Sequence, residues 1–75
     1  MPPLPVISGR KARRALERDG WEFVRQKGSH MILVKQDFRI TLSVPDHATL
    51  DRGILRDLIR DAGISVDRFI ELLKK

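Results

Sequence analysis

Residues 21–45 read WEFVRQKGSHMILVKQDFRITLSVP, three apolar-rich runs separated by two short polar turns. Gly28-Ser29 ends a strand expected over Trp21 to Gln26 and begins one over His30 to Lys35. In the third run Phe38, Ile40, Leu42 and Val44 alternate with Arg39, Thr41 and Ser43, the period of a half-buried strand. The tight Lys35-Gln36-Asp37-Phe38 connection predicts an antiparallel hairpin, with the third strand over Phe38 to Val44. Pro45 has no N–H to give a ladder and ends the sheet. If Lys35 stands opposite Phe38, His30 falls opposite Ser43, on the same polar face as Arg39 and Thr41.

Helices flank this sheet. Ser8 is a good N-cap for a helix over Gly9 to Arg18, with Ala12, Ala15 and Leu16 inward and Gly20 as its stop. After the sheet, Asp51 caps a helix to about Ala62, whose core face is Ile54, Leu55, Leu58 and Ile59. Gly63 closes it, and Ser65 caps a short last helix packing through Phe69, Ile70 and Leu73. Residues 1–7, with Pro2, Pro3 and Pro5, are expected to form an extended lead-in. The order is α-β-β-β-α(-α), with helices on one face of a three-stranded antiparallel sheet. That is an α+β fold.

A chain of 75 residues predicts one domain spanning 1–75, with a modest core and no room for a separate substrate domain. With no cysteine, disulfide staples, thiolate metal sites and thiol nucleophiles are all excluded. That usage fits a reducing cytoplasm. The longest apolar run, Met31 to Val34, is far too short to cross a bilayer, so no membrane role is expected. Met1 to Ile7 lacks the basic start and long apolar stretch of a signal peptide, which reads as an untargeted protein.

The net charge of +5 is one-sided. Residues 1–39 hold nine basic and four acidic side chains, whereas residues 40–75 hold six of each. A basic half on a small domain points to a polyanion such as nucleic acid, or simply to solubility. Arg10, Arg14 and Arg18 stand on one row of the first helix, a solvated face or a phosphate-contact face. Arg52, Arg56 and Arg60 form a second row, but Asp57 and Asp61 beside it suggest a salt-bridged exposed face.

Two histidines carry what chemistry the sequence offers, and neither has metal-ligand spacing. No glycine-rich phosphate loop is present either, so no metal and no cofactor is expected. His30 follows Gly28-Ser29 with Arg25 and Lys27 close by. An imidazole beside fixed cations suits RNA cleavage, taking a proton from a 2′-hydroxyl while the cations stabilise charge on the phosphate. The plainer alternative is an ordinary surface histidine. His47 lies just past the third strand and returns toward His30, either to share acid and base roles or only to cap the loop. Trp21 offers a face for base stacking or a core side chain.

Taken together, Ser8-Gly9, Asp19-Gly20-Trp21, Arg25-Gln26-Lys27-Gly28-Ser29-His30, Val44-Pro45-x-His47, Gly53-x-Leu55-Arg56 and Ala62-Gly63-Ile64 resemble the HicA toxins. These are the YcfA-like mRNA interferases of bacterial and archaeal toxin–antitoxin pairs, and the likeness runs in order along nearly the whole chain. Met31 stands where members often carry a second polar residue, and Ile54 where they commonly carry Thr. The resemblance implies a double-stranded-RNA-binding-domain-like fold and metal-independent mRNA endonuclease activity that arrests translation and growth. It also implies catalysis by His30 and a HicB-type antitoxin covering the active face. Arg25, Lys27, Ser29 and His47 are then the candidate RNA-binding residues. Two other functions fit the same residues: a non-catalytic RNA-binding module, and a protein whose basic helix meets an acidic regulator.

Overall fold

The structure, a computed structural model, describes residues 3–75. Its elements are α1 (Gly9–Arg18), β1 (Glu22–Lys27), β2 (His30–Val34), β3 (Leu42–Pro45), α2 (Arg52–Asp61) and α3 (Val66–Leu73). The three strands form one antiparallel sheet in the order β1-β2-β3. This is the expected α+β order, compatible with the double-stranded-RNA-binding-domain-like fold.

Local chemistry places each helix. The Ser8 hydroxyl accepts from the Lys11 amide, Asp51 from the Gly53 and Ile54 amides, and Ser65 from the Arg68 amide. Each such cap stabilises its helix by about 1 kcal/mol. Ala12 and Ala15 are fully buried, and their small size lets α1 lie close against β3, β1 and α3. From the sheet, Met31 and Leu33 of β2 and Leu42 and Val44 of β3 enter the core. Leu16, Leu55, Leu58, Ile59, Phe69 and Leu72 meet them from the helices. Burying a side chain such as Phe69 contributes roughly 1.5–3 kcal/mol.

Several expectations are corrected. β3 does not begin at Phe38. The Lys35–Phe38 turn does close, with the Phe38 amide donating to the Lys35 carbonyl (3.1 Å) and Asp37 at φ 70°. Phe38 then swings out of the ladder to meet Trp21 edge to face, ring centroids 5.2 Å apart. Residues 38–41 become a loop, and Phe38 and Ile40 stay 41% and 47% exposed rather than inward. The register is therefore shifted: His30 pairs with Pro45, not Ser43, and Ile32 takes Ser43. Because the shift is by two residues, His30 keeps its expected face.

Smaller differences follow the same logic of tertiary contact. Trp21 precedes β1 and is buried, its core reading. Ile54, expected in the core, is 39% exposed, while Leu72 is fully buried and Ile70 only half-buried. Met1 and Pro2 of the lead-in lie outside the described residues. The rest of it is anchored: Leu4 is 5% exposed within the core, and the Ile7 carbonyl accepts from the Leu50 amide (2.8 Å).

Gly9 explains how α1 begins. A Cβ there would run into the Pro45 carbonyl and come within 3.3 Å of the His47 amide nitrogen. The Gly9 amide donates to the His47 carbonyl at 2.9 Å. Only glycine lets the first turn of α1 sit on the chain leaving β3.

Candidate active site

The β1–β2 hairpin carries the site. Lys27 pairs with His30 across the two-residue turn Gly28-Ser29. Gly28 has φ 59°, the positive value that a type II′ turn requires at its first central position and that glycine adopts without strain. His30 is thus the first residue of β2, exposed, with Lys27 on one side and Pro45 on the other.

The register running back from the turn sets which cations join it. Phe23 pairs with Leu33 and Arg25 with Ile32, so Val24 is the extra residue. In a regular strand Phe23 and Arg25 would share a face. Counting back from the Gly28-Ser29 turn, Lys27 and Arg25 fall on the open face with His30, and the bulge beyond them turns Phe23 back against the core. Gln26, opposite the buried Met31, goes to the helix side. His30, Lys27 and Arg25 are therefore brought together on the sheet face opposite the helices, with Ser43 and Ile32 in the adjacent row.

Ser29 contributes through its backbone: its carbonyl accepts from the Asp46 amide at 2.7 Å. His47 is exposed two residues beyond Pro45, the β3 partner of His30, and its carbonyl receives the first amide of α1. Arg39 and Thr41, expected beside His30, lie in the loop before β3 and do not flank it in the sheet.

Asp46 is the residue the sequence did not single out. Its carboxylate accepts from Arg10 Nε (3.2 Å) and from Gln26 Nε2 (3.2 Å), and Gln26 also donates to the Gly28 carbonyl (3.2 Å). The hydrogen-bonded Arg10 guanidinium holds the Asp46 carboxyl below its ordinary value. Partial burial pushes the other way, while the Gln26 amide, the Arg10 charge and nearby His47 reinforce the lowering. The hairpin tip, the β3 exit and the start of α1 are so tied through one side chain. No local sequence signal marks it, since Arg10, Gln26 and Asp46 come from three segments far apart in the chain.

Among the described residues no group of three His, Cys, Asp or Glu side chains is arranged to hold a metal ion. No helix among them is long and apolar enough to cross a membrane. The expected salt-bridged row on α2 is present at Arg60, which pairs with Asp57 (3.2 Å) and Asp61 (3.7 Å).

Among curated proteins, none matches the chain. The family model described as the HicA toxin of bacterial toxin–antitoxin pairs matches residues 9–64, from the first residue of α1 past the end of α2 and across the whole sheet. With well over half its length matched, including the hairpin that carries His30, the chain belongs to the HicA toxin family.

Proposed function

We propose that this toxin of a toxin–antitoxin pair is a metal-independent mRNA endoribonuclease with His30 as its general acid–base residue. The observation that carries the reading is the placement of His30, exposed at a braced hairpin tip with Lys27 and Arg25 on the same face. The neutral imidazole takes the proton of an RNA 2′-hydroxyl as that oxygen attacks the adjacent phosphorus. Lys27 and Arg25 offset the charge growing on the non-bridging oxygens. The P–O5′ bond breaks, and the leaving oxygen takes a proton from an imidazolium, His30 itself or His47. The products carry a 2′,3′-cyclic phosphate and a 5′-hydroxyl.

Cleavage of mRNA would arrest translation and growth in the cytoplasm. The partner is a HicB-type antitoxin that covers the face bearing His30. A histidine general acid–base contributes about 10²–10⁴-fold to rate. His30→Ala should lower cleavage of a defined RNA by that order and abolish growth arrest when induced at the wild-type level. Equal arrest and equal RNA loss would remove His30 from the chemistry. The rival reading, a non-catalytic RNA-binding module, predicts intact RNA with wild type and unchanged binding in the variant.

A further inference from the structure

Beside the hairpin, on the helix side of β1, lies a recess of about 200 Å³ lined by Arg10, Arg13, Arg14, Glu17, Gln26 and Met31. Three guanidiniums face one carboxylate. Two of them are already ordered through their Nε edges. Arg10 Nε is held by Asp46, and Arg13 Nε by Glu17 at 3.2 Å. Arg13 also sits over the Phe23 ring, its Cζ 3.8 Å from the centroid, and its Nη1 reaches the Met31 sulfur. Among the described residues, no partner takes either Nη group of Arg10 or the Nη2 of Arg13, which leaves them for a ligand. Arg14 is exposed and has no carboxylate or carbonyl partner among the described residues, unlike Arg18 on the same row, which donates to the Leu72 carbonyl at 2.7 Å.

We propose that this recess binds a backbone phosphate of the RNA strand flanking the one cleaved at His30. The inference rests on the reading of His30 as the cleaving residue and adds a second point of contact. Planar guanidiniums presenting paired N–H groups suit a phosphate. Position favours the same RNA strand over a separate anion. The Gln26–Met31 pair lines the recess, and the next pair along the ladder is Lys27–His30, about 3.3 Å further on and facing the other way. A single strand drawn over the Gly28 edge meets both places. Arg14 is the binding residue of choice to test, being exposed and free of structural duties.

The experiment uses the full chain carrying His30→Ala, so that RNA stays intact, with and without Arg14→Gln. Fluorescence anisotropy reads binding of a labelled dinucleotide and a labelled octanucleotide over a salt series. Arg14→Gln should weaken the octanucleotide several-fold, lower the slope of log affinity against log salt by about 0.7, and leave the dinucleotide unchanged. With His30 present, the same substitution should raise KM several-fold at unchanged kcat. Equal octanucleotide affinity and slope would overturn the proposal, as would equal weakening of both lengths. Loss of binding to an oligoglutamate peptide with RNA binding intact would also overturn it, by assigning the recess to an acidic protein. If wild type fails to cleave RNA but octanucleotide binding still depends on Arg14, the recess stands and the His30 chemistry falls.

Discussion

A carboxylate that accepts from Arg10 Nε and Gln26 Nε2, while its own amide donates to Ser29, ties three chain segments at one point. That side chain, Asp46, is only 18% exposed. Its carboxyl is held below the ordinary value chiefly by Arg10, so the ionised form is favoured by folding. The contribution is present above the unfolded carboxylate value of about 3.9 and is lost as pH falls through the lower folded value. Asp46→Asn should therefore melt below wild type at neutral pH, with the gap closing below about pH 4. Thermal unfolding of both proteins across that range checks this. A gap that stays constant with pH would mean the carboxylate charge contributes nothing. Nothing in the local sequence forecast the tie, because Arg10, Gln26 and Asp46 meet only once the sheet and α1 are assembled.

Among elements, the loop between β2 and β3 shows how one contact overrides a pattern. The alternation from Phe38 to Val44 is a sound strand signal, and its second half is strand. The first half is pulled away because Phe38 finds Trp21 and lies against Gly63, with Lys35 Nζ 5.1 Å from the Phe38 ring centroid. Phe38→Ala should cost about 1 kcal/mol from the aromatic pair, a fall in Tm of about 4–8 °C, and leave RNA cleavage unchanged. A large loss of cleavage would show that the loop supports the His30 face. The helices were legible because Ser8, Asp51 and Ser65 act within their own first turns. The bulge at Val24 was not, since pairing with β2 creates it, and it is the bulge that turns Phe23 to the core while Arg25 and Lys27 follow the Gly28-Ser29 turn to His30. Periodicity found the candidates, and tertiary pairing chose their face.

Across the whole molecule, the core draws on nearly every segment, including one expected to be a mere lead-in. Leu4 is 5% exposed and lies with Ile59, Ile64 and Val66 beside α2 and α3. Leu4→Ala should destabilise the fold by about 2–5 kcal/mol, read by urea or thermal unfolding. An unchanged midpoint would return the segment to the status of a tail. The three prolines nearby hid this leucine, since isolated apolar residues in such a stretch carry no periodic signal. The basic half, by contrast, was plain in the sequence, and the structure divides it. Arg25 and Lys27 join His30, Arg10 and Arg13 line the recess, and Arg18 reaches the carbonyl of Leu72. That last link has a consequence for biosynthesis. A nascent chain released only as far as β3 already contains His30, Lys27 and Arg25, yet α1 still lacks the Phe69–Leu72 turn that completes its packing. The hairpin is then held by an unfinished scaffold until α3 has been synthesised.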